Sequence, residues 1–253
     1  MSSAKFYTLA PMRTSTILAS VHVSSSYPAQ NVLDYNRNTQ CRGSSTSSIR
    51  IDISFGTTQT IRGLIIDIRN YALHNVNGVD RYANLTTFIS NGPALPRTQP
   101  LLANSFSIDY SCNTFRLTFN SGSPNVQLGM IALCHVYELA NRHQVPSMGG
   151  RTPLVTQTIL KGGKRYSSVE NQNGVKVLQQ KYFLSSSSEL TIMKNIFKES
   201  AELGLPFVLV DGDEDPLMLY WDSPISWQEI DYEVYEASCS FVEVPYIESG
   251  KTF

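Results

Sequence analysis

Between Ile49 and Phe55 the chain alternates strictly, with Ile49, Ile51, Ile53 and Phe55 on one side and Arg50, Asp52 and Ser54 on the other. A period of two is the pattern of a half-buried β-strand. Further apolar runs of strand length fall at Ile17–Val23, Ile61–Ile68, Leu85–Ser90, Phe106–Asp109, Phe115–Asn120 and Val126–Tyr137. Turn chemistry separates them at Gly56-Thr57-Thr58, Asn75–Gly78, Asn91-Gly92-Pro93 and Asn120-Ser121-Gly122. Many short strands punctuated by Gly, Pro and Asn predict a sandwich or jelly roll through about residue 140.

The pattern then breaks. Ala140–Pro153 holds Gly149-Gly150 and two prolines with no periodicity, the composition of a linker. Beyond it, Lys164–Val169 and Val175–Leu184 read as strands, and Ser185–Ser188 supplies N-cap candidates for the one helical segment. There Leu190, Met193, Ile196 with Phe197, and Ala201 recur at helical spacing, and Gly204 with Pro206 closes the segment. Phe207–Val210, Leu217–Tyr220 and the alternating Tyr232–Val244 complete an antiparallel set. The expectation is a mainly β chain in two domains: a jelly roll over 1–145, a linker at 146–153, and a β unit over 154–253 with a helix at about 188–203.

At 253 residues and 42% hydrophobic content the chain can bury a full core. No apolar run reaches the roughly 18 residues of a membrane helix, so membrane insertion is not expected. The first residues lack the layout of a secretory leader, and the expectation is folding in a cytoplasm. The net charge of −1 hides an imbalance, because residues 1–150 carry 11 Lys and Arg against 6 Asp and Glu, and the remainder 9 against 15. The basic half uses Arg almost alone, but its arginines are scattered without the interleaved aromatics of a nucleic-acid surface, so no nucleic-acid partner is expected. Cys41, Cys112, Cys134 and Cys239 show neither paired spacing nor His companions, and they read as small buried hydrophobes.

Catalytic constellations are missing from the sequence. The four histidines lie far apart, and no nucleophile elbow, phosphate loop or zinc helix occurs. Asp211-Gly212-Asp213-Glu214-Asp215 begins like a calcium-binding loop, but Pro216 stands where Gly is required and Asp222 where Glu is required. It reads as a solvated acidic turn. Neither an enzyme nor a cofactor is expected.

The segment from Tyr27 through Asn31, Val32, Leu33, Asp34, Thr39 and Cys41 to Arg42, followed by the strand at Ile49, resembles the opening of discoidin-like (coagulation factor 5/8 C-type, galactose-binding-like) domains. The resemblance implies a binding module with a jelly-roll fold. It would also place a structural calcium on the loop of Asp34 and Thr39. Here, however, Tyr35 stands for the usual Gly, Cys41 for the usual Trp and Leu133 for the expected Glu. Losing that carboxylate weakens a site for a hard dication, so no metal is expected. Asp34 and Thr39 are read instead as capping a turn by side-chain-to-backbone hydrogen bonds. Sugar recognition needs an aromatic platform beside polar forks, and Tyr35, Arg37 and Arg42 are the ligand-binding candidates. Tyr71, His74 and Tyr82 form a second possible set.

The C-terminal part, from Gly162-Gly163-Lys164 through the helix holding Phe197, Gly204-Leu205-Pro206-Phe207 and the Asp215-Pro216 turn to Ser238–Val244, resembles minor tail and tail-tip proteins of tailed bacteriophages. That resemblance implies a tail-tube-like β unit and a structural component of a phage tail tip or baseplate. Its partners would be other tail proteins in a homo-oligomeric ring, and its location the virion, after assembly in the host cytoplasm. The alternative from a different class is a carbohydrate-binding module recognising a host-surface glycan.

Overall fold

The computed structural model describes residues 3–21, 23–35, 39–44, 49–68, 75–79, 85–90, 101–120, 127–140, 148–159, 165–211 and 215–244; at 19, 21, 68, 75–79, 85–90, 112, 119–120, 148–159 and 165–175 it describes the backbone alone. The first elements in chain order are β1 (Ala4–Thr8), β2 (Thr16–Val21), β3 (Cys41–Arg42), β4 (Ile49–Ile68), β5 (Asn75–Val79), β6 (Leu85–Ser90), β7 (Leu101–Asn120) and β8 (Gln127–Leu139). Then come β9 (Met148–Ile159), β10 (Arg165–Leu184), α1 (Ser187–Ser200), β11 (Phe207–Asp211), β12 (Leu217–Trp221), β13 (Ser226–Asp231) and β14 (Val234–Glu243). The chain is mainly β, as its patterning predicts. It divides into two compact units, one of Phe6–Tyr137 with Glu214–Pro216, the other of Met1–Lys5, Glu138–Asp213 and Leu217–Phe253.

In the Phe6–Tyr137 unit the pairings among β2 to β8 are antiparallel. β4 and β7 are each one long strand where the sequence suggests two. The first half of β4 pairs with β2 and the end of β7, and its second half pairs with β8 and the start of β7. Gly56 lies where β4 changes partners, at φ +69°, in a register break between Ser54 and Gln59. A glycine there lets the strand turn a corner without ending, so the expected loop is a bulge. β5 and β6 extend the β7 side, and β3 pairs with the start of β8.

The alternation is realised as read: Ile49, Ile51, Ile53 and Phe55 are all fully buried. β8 is buried without interruption from Leu128 to Cys134, the continuous apolar run of a strand covered on both faces. On the polar side of β4, Asp52 departs from expectation and is only 4% exposed. Arg116, its neighbour on β7, holds both carboxylate oxygens through Nε at 2.8 Å and a terminal nitrogen at 2.9 Å. Arg50 lies 3.6 Å away on the same face. Part of the Arg excess thus serves the sheet itself, in the bidentate geometry that suits guanidinium.

The second unit holds the antiparallel order β11-β12-β14-β10-β9, with β13 following β12 along the same edge of β14. The expected linker is not one from Met148 onward. Gly149 and Gly150 pair with Leu178 and Val177 as the start of β9, and Pro153 falls where the register shifts between Thr152 and Leu154. Among the described residues β9 pairs with β10 alone, and an irregular edge strand is where a sheet accommodates proline. Helix α1 starts one residue, and ends three, before the expected bounds. Ser186 caps it by accepting the Glu189 N–H at 3.3 Å. Glu189 answers by accepting from the Ser185 N–H at 2.6 Å and the Ala140 N–H at 3.1 Å, a variant of the capping box whose return bond goes to the residue before the cap and to a second segment. Leu190, Met193 and Ile196 are buried. Phe197 meets the Trp221 ring edge-on at 5.1 Å, and the Trp221 N–H donates to Ser200 Oγ at 2.8 Å.

Candidate functional site

The stretch singled out in the sequence forms a loop closed by backbone bonds. A bridge joins Val23 to Gly43, the Ser24 N–H donates to Arg42 O at 2.8 Å, and the Arg42 N–H donates to Tyr27 O at 3.2 Å. A short 3-10 turn, Ala29–Val32, plugs the loop into the core, with Val32 fully buried and Ala29 at 2%. Polar side chains fasten the tip: Asn31 donates its amide to Gln40 O at 2.8 Å. The Thr39 hydroxyl lies 2.8 and 2.9 Å from the two Asp34 oxygens and 3.2 Å from Asn31 O. One hydroxyl hydrogen serves one acceptor at a time, and the shorter contacts are to the charged one. The loop is therefore tied by hydrogen bonds, but Asp34 and Thr39 bond each other, side chain to side chain, where capping of the backbone was expected.

Of the three ligand-binding candidates, Arg42 and Tyr35 are described and Arg37 lies outside the described residues. Tyr35 is half-buried at the loop tip with φ +54°, a left-handed conformation that costs a non-glycine residue on the order of 1 kcal/mol. This is the position where the discoidin-like pattern has Gly. Arg42 reaches a different aromatic: its guanidinium carbon lies 4.0 Å from the centroid of the Tyr27 ring. Such stacking is worth about 0.5–1 kcal/mol at a partly exposed site. Its Nε is enclosed without a hydrogen-bond partner among the described residues. The arrangement thus brings an aromatic ring and a guanidinium together on one loop. Behind it Cys41 is fully buried, and desolvation pushes its thiol up to about 12.

Tyr27 is the residue that sequence reasoning passes over. Fifteen positions separate it from Arg42, and only the loop closure brings them together. The other set of candidates, Tyr71, His74 and Tyr82, lies outside the described residues. Leu133, standing for the expected Glu, is fully buried and paired with Leu64. Among the described residues no three His, Cys, Asp or Glu side chains converge as for a metal. Asp211, expected in a solvated turn, is instead 4% exposed at the end of β11, while Asp215 is exposed. Cys134 and Cys239 are free and buried, as expected, and their thiols are likewise raised by burial. No described helix is long and apolar enough to cross a membrane.

No protein-family profile and no curated protein matches the chain. Among solved structures, the family 32 carbohydrate-binding module of Clostridium perfringens NanJ, in complex with galactose, aligns at 12% identity and TM-score 0.43, covering 52% of this chain and 99% of that one. Chitosan-binding module 1 of a Paenibacillus sp. IK-5 chitosanase/glucanase aligns at 15% identity and TM-score 0.40, covering 51% and 98%. The CBM32-6 module of CpGH89 from Clostridium perfringens aligns at 16% and TM-score 0.39, covering 50% and 97%. At these scores the likeness is one of outline and assigns no ligand to this chain. None of the three is described as a virion protein, so the tail-tip expectation gains no support from them.

Proposed function

We propose that the chain is a non-catalytic carbohydrate-binding protein whose Phe6–Tyr137 unit takes a sugar at the 24–43 loop. The observation that carries this reading is the half-buried Arg42 guanidinium, whose carbon lies 4.0 Å from the centroid of the Tyr27 ring, so that an aromatic ring and an N–H donor group share one loop. Sugars present vicinal hydroxyls and an apolar ring face, and a fork of N–H donors beside an aromatic ring meets both. The described parts of the loop are tied by hydrogen bonds at Asn31, Asp34 and Thr39, which lowers their ordering cost on binding. A host-surface glycan is the partner this reading implies. The test is a glycan array followed by titration of the best sugar against the intact chain and its Arg42→Ala and Tyr27→Ala variants. Loss of about tenfold or more in affinity with either variant is expected. Failure of the intact chain to retain any glycan, or binding that both variants leave unchanged, overturns the reading.

One observation favours a second reading, a subunit that assembles through strand edges as in a phage tail tip or baseplate. β13 is exposed at all six residues and, among the described residues, pairs only with β14. An uncovered edge of that length is a template for another strand. Light scattering on the purified chain decides this: a ring-sized mass supports assembly, and a monomer from micromolar to millimolar concentration removes it.

A further inference from the structure

The outer face of the second unit carries a polar strip that the loop reading leaves unused. In the β10–β14 register, Gln179 lies beside Ser240 and Lys181 beside Ser238. Their sequence neighbours Leu178, Tyr182, Ala237 and Phe241 point the other way and are buried. On the far side of β14, Ser226 of β13 pairs with Ser238, so the polar row continues across three strands. The connection from β12 to β13 curls alongside, anchored where the Asp222 N–H donates to Ser240 O at 2.9 Å. Gln179, Lys181, Ser223, Ser226, Ser238 and Ser240 line a cavity of about 300 Å³ there, within the usual range for a small-ligand site.

The lining selects the ligand. Lys181 is 2.8 Å from Glu236, and the Ser240 hydroxyl donates to Asp222 at 3.0 Å, so the site has no surplus positive charge to hold an anion. The rest of the wall sets serine hydroxyls and glutamine amides, each able to donate and accept, into mainly apolar surface that includes Pro224 and Cys239. Among the described residues no carboxylate cluster suits a metal, and an apolar ligand would strand these polar groups. A neutral ligand rich in hydroxyls satisfies them. Aromatic rings lie at both ends of the strip on the same face. Phe183, opposite Glu236, is 36% exposed, and Tyr220, opposite Val242, is 38% exposed. Six residues of extended β10 separate the two rows, roughly 20 Å at the strand rise, which is the reach of a short oligosaccharide rather than a single ring.

We propose that this strip is a second binding site, for a neutral oligosaccharide, with Gln179, Lys181 and the serines as hydrogen-bond partners and Tyr220 and Phe183 as stacking ends. It goes beyond the loop reading and stands without it. The experiment titrates the full isotope-labelled chain with neutral tetrasaccharides (β-1,4-glucan, β-1,3-glucan, α-1,4-glucan and N-acetylated chitin types) and follows backbone amide shifts. At least one is expected to move amides of residues 179–183, 223–226 and 238–242, with unchanged affinity in Arg42→Ala. Gln179→Ala and Tyr220→Ala are expected to weaken that response about tenfold. Lys181→Met, which keeps the stem of an exposed side chain, gives a second variant should Tyr220→Ala lose its dispersed spectrum. Absence of shifts on these strands with all four sugars at tens of millimolar overturns the proposal. So does a response that neither Gln179→Ala nor Lys181→Met alters. Loss of loop binding in Arg42→Ala with the strand response intact separates the two sites.

Discussion

Gly63 is closely packed within the first unit, and an alanine there has a definite consequence. Gly63 lies in β4 between Ser105 of β7 and Cys134 of β8. A methyl on its Cα would meet Val136 Cγ2 at 2.5 Å and two Tyr7 ring carbons at 3.0 and 3.1 Å. Ordinary contact begins near 3.4 Å, so Val136 must retreat by about an ångström. Its side chain is β-branched and stiff, and the Tyr7 ring blocks compensation on the other side. Overpacking of this kind costs about 1–3 kcal/mol, and the reduced freedom of the unfolded chain returns about 0.4–1 kcal/mol. The net expectation for Gly63→Ala is a loss of roughly 1–2 kcal/mol. Val136→Ala alone also destabilises, by about 1–2 kcal/mol for two methyl groups. The double variant removes the collision, so its loss should fall short of the sum by about 1–2 kcal/mol. Urea unfolding followed by fluorescence and circular dichroism measures all four proteins, with the two units fitted as separate transitions if they resolve. A Gly63→Ala protein of parental stability, or a cycle that adds without coupling, refutes the packing argument.

Further outcomes are expected. Ser186→Ala should lower stability by about 1 kcal/mol through its helix cap. Glu189→Gln should cost more, about 1–3 kcal/mol, because an amide turns an N–H toward either the Ser185 or the Ala140 donor; calorimetry ranks the pair. A thiol reagent at pH 8 should leave Cys41, Cys134 and Cys239 unlabelled until the chain is unfolded. In the unfolded chain a thiol ionises near 9.0, whereas Cys41 keeps its proton up to about 12. Stability should therefore fall as pH rises above about 9, by about 1.4 kcal/mol per pH unit for each such buried thiol, and Cys41→Ser should flatten the slope seen in urea titrations. Millimolar calcium should leave the melting temperature where chelator leaves it, since Asp34 is tied to Thr39 and buried Leu133 offers no carboxylate; a rise of several degrees refutes that.

The strand pattern was legible wherever one face is buried and the other wet. Ile49–Phe55 and the helix holding Met193 follow directly, because burial imposes the periods of two and 3.6 that apolar residues record. Legibility fails where backbone chemistry does not announce its use. Gly56 reads as a turn but supplies a corner in an unbroken strand. Gly149, Gly150 and Pro153 read as a linker but form an edge, where pairing on one side leaves room for both residue types. Asp52 reads as solvated. Its burial depends on Arg116, 64 residues away, and no local window contains that fact.

The loop shows the same limit at the level of function. Its apolar plug is readable, because Val32 sits in a polar run and must bury itself. The partner of Arg42 was not. Tyr35 is nearer in sequence, but its left-handed backbone at φ +54° belongs to the loop tip, and the ring beneath the guanidinium is that of Tyr27. What joins Tyr27 to Arg42 is a ladder of three backbone bonds among Ser24, Tyr27 and Arg42, made by groups that every residue possesses. A sequence identifies side chains able to recognise a sugar; which of them share a face is decided by backbone pairing that leaves no mark on residue type. The consequence is testable at the level of single residues: Tyr27→Phe, which keeps the ring beneath the guanidinium, should hold the binding that Tyr27→Ala loses.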